Sequence, residues 1–212
     1  MKIALIGASG FIGSALREEA LHRGHQVKAL VTQPERIAAR PNLTIEKSDV
    51  LDSQALTEQL RGADVVLSAF SGHAQQDVRG YYVQGFDSIL AATQAAGVER
   101  LLVVGGAGSL EVAPGKLLID TPDFPAEYKT SAEGAKAALE QLRDQDAQTW
   151  TFLSPAAEIF PGERTGNFRL GSDQLLVDAE GNSLISVQDY AVAMLDEAEE
   201  PRHLNQRFCV AY

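Results

Sequence analysis

Three glycines near the start of the chain carry the clearest chemistry. Gly7, Gly10 and Gly13 recur at every third position in Gly7-Ala8-Ser9-Gly10-Phe11-Ile12-Gly13, directly after the apolar run Ile3-Ala4-Leu5-Ile6. Strand, glycine turn and helix start, in that order, is the context in which such spacing means dinucleotide binding. Gly7 permits the tight turn out of the strand. Gly10 lets the backbone approach a pyrophosphate, and Gly13 lets the helix pack close to the sheet. The free N–H groups of the first helical turn then face an anion. The spacing is G-x-x-G-x-x-G rather than G-x-G-x-x-G, and the plain alternative is a glycine-rich turn that holds nothing.

The kind of nucleotide should be written roughly twenty residues further on, where an NAD site places an acid against the ribose 2′-hydroxyl. Here the second strand ends in Val31-Thr32-Gln33-Pro34-Glu35-Arg36, and Thr32 stands where that acid would. With no carboxylate there, a 2′-phosphate has room and Arg36 is placed to pair with it, so NADP is expected ahead of NAD. The competing reading is a capping box between Thr32 and Glu35, with Pro34 in a first helical turn and Arg36 merely solvated.

These groups need a scaffold, and the 212 residues, 45% hydrophobic, suffice for one sizeable core but not for two full domains. The formal net charge of −11 opposes nucleic acid and anionic membrane surfaces as partners. The one cysteine, Cys209, excludes an internal disulfide and sits in an apolar run, which suits a packed thiol in a reducing compartment. The first apolar run is too short for a leader, and no stretch approaches the ~20 apolar residues of a membrane span. A cytoplasmic protein, monomeric or homodimeric, is expected.

Strands alternate with helices along most of the chain. The periodicity predicts a helix over Phe11–His22 stopped by Gly24, then strands at Gln26–Val31 and 43–46. A short helix opened by Asp52 and Ser53 and a strand at 64–69 come next. A long helix carries Val83, Phe86, Leu90 and Thr93 on one face. A strand at Arg100–Val104, a helix with Ala135, Ala138, Leu139 and Leu142 inward, and a strand at 149–153 complete the series. Continuous apolar strands joined by helices mean an α/β, doubly wound parallel sheet in the order 3-2-1-4-5-6. Beyond Pro155 the pattern loosens: a loop at 161–166, short strands at 174–177 and 183–186 around a turn, a helix with Val187, Tyr190, Ala191, Met194 and Leu195 inward, and a last strand at 207–211. The expectation is one nucleotide-binding domain over 1–212, with 155–206 as a small substrate-side cap. Ligands of such sheets lie beyond the carboxyl ends of the strands. That rule selects Gly7 to Gly13, Val31 to Arg36, Asp49 and Val50, Ala69, Phe70 and Ser71 through His73, Gly105 to Ser109, and Ser154 to Ala157.

The glycine stretch and its spacing resemble the short-chain dehydrogenase/reductase superfamily with its Rossmann fold. Nearly the whole chain is similar to its atypical branch of NADH-flavin reductase-like and NmrA-like proteins. The most specific stretches are the glycine turn, Val104-Gly105-Gly106-Ala107-Gly108-Ser109-Leu110, Pro122-Asp123-Phe124-Pro125, and Ser183-Leu184-Ile185-Ser186-Val187-Gln188-Asp189-Tyr190-Ala191. The resemblance implies that Asp49 and Val50 hold the adenine, with a helix-capping aspartate as the alternative for Asp49. It also implies that the run from Gly105 approaches the nicotinamide ribose or the substrate, with Pro155 close by.

The superfamily reduces carbonyls with a Tyr-x-x-x-Lys pair on one helix face, where the lysine lowers a phenol pKa ordinarily near ~10. The matching tyrosine is Tyr128, but position 132 is Ala, and the adjacent Lys129 does not share its face. Tyr81 and Tyr82 have Gly85 and Phe86 at the lysine offset. A flavin or quinone accepts hydride without a strong enzymic acid, because solvent can protonate the product, and the transfer depends on the proximity of two rings. Glycines with Phe70, Phe124 and Phe160 suit that acceptor class, though each aromatic also reads as core. Tyr128 is then positional, Ser109 orients the acceptor or serves as a turn serine, and His73 is a loop histidine or a weak general acid. Two other classes remain open on these residues: an NmrA-type sensor that binds NAD(P) without turnover, and a sugar-nucleotide epimerase or dehydratase. The latter keeps the Tyr–Lys pair and has a larger substrate region.

Overall fold

The computed structural model describes residues 1–73 and 75–212. The chain opens with β1 (Lys2–Ile6), α1 (Phe11–His22), β2 (Gln26–Val31), β3 (Leu43–Lys47), α2 (Ser53–Leu60), β4 (Val65–Ser68), α3 (Val78–Ala95) and β5 (Arg100–Val104). A small hairpin of β6 (Glu111–Ala113) and β7 (Lys116–Leu117) precedes α4 (Ala126–Arg143). Then come β8 (Thr149–Ser154), β9 (Glu158–Phe160), β10 (Arg169–Gly171), β11 (Leu184–Ser186), α5 (Val187–Glu199) and β12 (Gln206–Ala211).

The main sheet runs β10-β12-β8-β5-β4-β1-β2-β3, parallel throughout except where β10 meets β12. Its first six strands in chain order follow the expected doubly wound series, and β12 and β10 extend it past β8. The strands are apolar on both sides because both faces are covered. One face packs Leu5, Val27 and Leu67 against Leu16 and Ala20 of α1 and Tyr190 and Met194 of α5. The other packs Ile6, Val66 and Leu101 against Leu56 of α2, Phe86 and Ile89 of α3 and Leu139 of α4. The order reverses at β1, whose Ile6 is level with Leu30 of β2 on one side and Ser68 of β4 on the other. This is the switch point at which such sheets open a crevice.

Two expectations for the C-terminal third and the second strand's exit do not hold. Strands 174–177 and 183–186 do not pair. The Asp178 carboxylate accepts from the N–H groups of Glu180 and Asn182 and closes the turn as an Asx motif, so no two-strand ladder is needed there. Gln174 makes only an isolated bridge to Glu111, and Leu184–Ser186 instead pairs parallel with Glu158–Phe160. After β2, Thr32 does not cap a helix: a single 3-10 turn, Pro34–Arg36, starts on Gln33 with no side-chain cap.

Candidate functional site

The carboxyl ends of β1, β4, β5 and β8 open into one cleft of about 930 Å³. Gly10, Phe11, Ile12 and Gly13 line one end of it, Ala69, Phe70, Ser71 and Gly72 the next stretch, and Gly105 to Gly108 with Pro155 the floor beyond. Phe124, in the turn before α4, forms the far wall with Tyr128 and Ala132 of that helix. Another depression of about 400 Å³ lies at the amino ends of β1 and β2, around Lys2 and Gln26, away from the switch point.

The glycine turn is shaped by contacts at the scale of single atoms. Gly7 sits at φ +78°, and its N–H donates to Leu30 O at 3.0 Å. A Cβ on Gly13 would stand 2.1 Å from Gly7 O, so only glycine lets α1 approach the turn. Gly10 differs: a Cβ there meets nothing nearer than Gly7 O at 3.5 Å, so a side chain at this position would project into the cleft. Helices α2, α3 and α5 begin on side-chain caps from Asp52, Asp77 and Ser186, whereas α4 begins on Pro125 without one, and α1 likewise begins on Gly10 with no side-chain cap. Its first N–H groups are thus left for an anion at the cleft end, which is the fit a pyrophosphate requires. Ala8 is buried beneath the turn and Ser9 exposed on it. Arg17, which sequence reading passed over, donates to Ala8 O at 3.0 Å and steadies the turn from the helix. Its only signal was a cation nearly two turns into a helix that follows a glycine motif.

Besides Gly7, Ala8 and Ser9 of the turn itself, four expected cofactor residues lie outside the cleft lining. Thr32 and Arg36 are exposed beyond β2, and Arg36 makes no ion pair among the described residues. The Asp49 carboxylate accepts from Leu51 N–H at 3.0 Å and is not the cap of α2, a role that Asp52 takes through Ala55 N–H. Val50 is buried against the same side of α3 as Phe70: a Cβ on Gly85 would touch both side chains, and Phe70 stacks on Tyr82 at 5.7 Å. Tyr82 is buried on the cleft wall, and burial pushes its phenol above the ordinary range.

The Gly105 to Gly108 run owes its composition to packing. A Cβ on Gly105 would stand 2.2 Å from the Phe152 ring, and one on Gly108 would stand 2.8 Å from Ala132 Cβ. Tyr190, fully buried, donates from its hydroxyl to Leu153 O at 2.7 Å, and the same carbonyl accepts from Gly105 N–H at 2.8 Å. Ser109 is not brought into the cleft. It is buried beside Arg207, whose guanidinium donates to Ser109 Oγ and Ser154 Oγ, each at 3.4 Å, and ion-pairs with Asp173. The serine thus ties the ends of β5 and β8 together from behind. Burial pushes the Asp173 carboxyl up, but Arg207 and Arg143 outweigh it and hold the group below the usual carboxylate range. Arg207 was legible only as a charge opening an otherwise apolar strand. Phe160 also lies away from the cleft, against Tyr212 at 6.5 Å, while His73 lines it from an exposed position. Tyr128 lines the cleft mouth at 57% exposure, with Ala132 rather than a cation one helical turn on.

A family model described as NAD(P)H-binding matches residues 7–199. The chain belongs to the NAD(P)H-binding family. An uncharacterized Bacillus subtilis protein, YwnB, is 42% identical, covering 99% of this chain and 98% of its own. The solved structure of a Bacteroides thetaiotaomicron protein named as an inferred epimerase is 44% identical, covers 100% of this chain and 96% of its own, and superposes with a TM-score of 0.93. A Streptococcus pneumoniae protein named for an inferred NADH-flavin reductase activity is 36% identical, covers 100% and 99% of the two chains, and gives 0.87. A Burkholderia pseudomallei protein of 44% identity, covering 100% of both chains with a TM-score of 0.90, is named as an inferred exported protein. The fold is therefore that of an NAD(P)-binding, oxidoreductase-like Rossmann protein. No helix among the described residues is long and apolar enough to cross a membrane.

Proposed function

We propose that the protein is an NAD(P)H-dependent reductase that passes hydride to a flavin, a quinone or a similar small flat acceptor, with NADP preferred over NAD. The observation that carries this reading is the continuity of one cleft from the uncapped start of α1 to the aromatic wall of Phe70, Phe124 and Tyr128, on a helix where Ala132 replaces the activating lysine. A bound nicotinamide would supply the hydride and leave oxidised, with solvent protonating the reduced acceptor. Among the protein's own groups, Gly10 and the N–H groups of Phe11 to Gly13 take the pyrophosphate, behind Gly7, Ala8 and Ser9. Asp49 and Val50 flank the adenine, and Thr32 with Arg36 leaves room for a 2′-phosphate. Ala69, Phe70, Ser71, Gly105 and Pro155 border the nicotinamide half. Tyr128 positions the acceptor ring, and Ser109 acts on the glycine run from behind. The whole chain works as one unit, with 155–206 as a cap over the acceptor end. A single buried thiol, Cys209, pushed up to about 11 by burial, suits a reducing cytoplasmic setting.

The test is oxidation of NADPH and NADH with excess flavin, with quinone, and with no acceptor. Turnover with an acceptor is expected, and Tyr128→Phe should retain it within roughly tenfold, whereas loss of a general acid typically costs about 10²–10⁴-fold. A thousandfold loss would make Tyr128 an acid. Tight nucleotide binding with no turnover would favour the sensor reading, to which the absent lysine also lends itself. Conversion of a sugar nucleotide without net nucleotide oxidation would favour an epimerase.

A further inference from the structure

The charges along the cleft are unequal. Its nucleotide end offers backbone N–H groups at the start of α1, which favour anions. At the other end the charged lining residues are Asp123, in the turn before α4, and Glu158, which opens β9; among the described residues no lysine or arginine lines the cleft. Neither carboxylate takes part in an ion pair among the described residues. The hydroxyls nearby are engaged: Thr121 donates to Leu118 O at 2.7 Å and Ser131 to Tyr128 O at 2.9 Å. What the acceptor end presents is aromatic surface from Phe124 and Tyr128 and two exposed carboxylates outside any ion pair among the described residues, while Glu127 in the first turn of α4 sets a further negative charge against the uncapped start of that helix. The net charge of −11 adds to that field.

We infer that this end selects uncharged or cationic aromatic acceptors and rejects phosphorylated ones, so that an isoalloxazine is taken as the nucleoside-like riboflavin rather than as its phosphate. This rests on the reductase reading for its catalytic meaning, but it is a statement about binding. A phosphate dianion brought into a cleft lined by two exposed carboxylates should cost about tenfold in affinity at low ionic strength, where little screens the repulsion.

Riboflavin and FMN share one ring system and differ by the phosphate, so they isolate the effect. Flavin fluorescence quenching with the protein saturated with NADP+ reads their two dissociation constants. At an ionic strength near ~0.01 M, where the screening length is about 30 Å, riboflavin should bind about tenfold more tightly. Near ~1 M, where screening acts within about 3 Å, the ratio should shrink to within roughly threefold. Asp123→Asn combined with Glu158→Gln should bring the low-salt ratio toward one. Equal affinities at low salt, tighter FMN, a ratio deaf to salt and to the double variant, or no binding of either flavin would each overturn the inference. If riboflavin preference holds but neither flavin drives NADPH or NADH oxidation, the charge selection stands and the reductase reading falls.

Discussion

Around the glycine turn the fold is built from backbone contacts between residues close in sequence. Gly10 N–H donates to Gly7 O at 3.1 Å, Ser14 N–H to Gly10 O at 2.8 Å, and Gly13 closes against the Gly7 carbonyl. In the segment after β8 the structure is held by buried polar side chains reaching far along the chain. The carboxylate of Asp189, fully buried, accepts from Thr165 N–H and Gly166 N–H at 2.8 Å, from the Thr165 hydroxyl at 2.6 Å and from Tyr212 OH at 2.8 Å. Arg207 draws Asp173, Ser109 and Ser154 together in the same way. The first region can tolerate an open, uncapped helix end because nothing else depends on it. The second must satisfy every buried charge at once, since an orphaned one costs more than a missing contact.

The sharpest break should come at Asp189. Asp189→Ala removes a buried carboxylate and leaves two N–H groups and two hydroxyls without their acceptor, and should cost about 3–5 kcal/mol of unfolding free energy, as for other broken networks around a buried charge. Urea unfolding reads it, and a loss under about 1 kcal/mol would mean that solvent replaces the carboxylate freely. Gly10→Val tests the opposite region. It should reduce nucleotide affinity by roughly 100-fold or more, about 3 kcal/mol, by filling the pyrophosphate path, with much less effect on stability. Calorimetric titration of the folded variant checks this, and unchanged affinity would remove the glycine turn from the site.

Glu19 joins the two regions. It lies on α1, 6% exposed, and is clamped by Arg164 from the loop after β9 and by Arg23, which also reaches Asp196 and Glu199 of α5. The Arg164 hydrogen bond, against the upward push of burial and with help from Arg23, brings its carboxyl down from 4.5 to about 2. A depressed folded-state value stabilises above the unfolded value and is lost as pH falls through the folded one. Glu19→Gln should therefore cost on the order of 3 kcal/mol at neutral pH, with the gap to wild type closing as pH drops from about 4.5 toward 2. Urea unfolding at pH 7, 4 and 3 follows it; a gap independent of pH would assign the loss to packing alone. The smallest effect belongs to Arg36, which stands free at the edge of the glycine region. Arg36→Ala should weaken NADP by about 1.5–3 kcal/mol and NAD hardly at all. Equal losses for both nucleotides would place the 2′-phosphate elsewhere.

Much of this was legible along the chain. The glycine turn, the apolar strands and the 3.6-residue faces of α1, α3 and α4 are local patterns, and local patterns survive translation into structure because backbone sterics and burial act over a few residues. They determined the doubly wound sheet, the switch point beside β1 and the uncapped helix start at one end of the cleft. The resemblance placed Asp189 and Tyr190 in a specific stretch without saying what they hold. Tertiary structure alone decided that Ser109 faces Arg207 instead of the cleft, that Gly105 and Gly108 are small because of Phe152 and Ala132, and that Leu184–Ser186 pairs with Glu158–Phe160. It also brought Asp123 and Glu158, thirty-five residues apart, into the lining of one cleft. Each of these is a contact between residues whose separation carries no period, so its energy exists only once the sheet has set the distances.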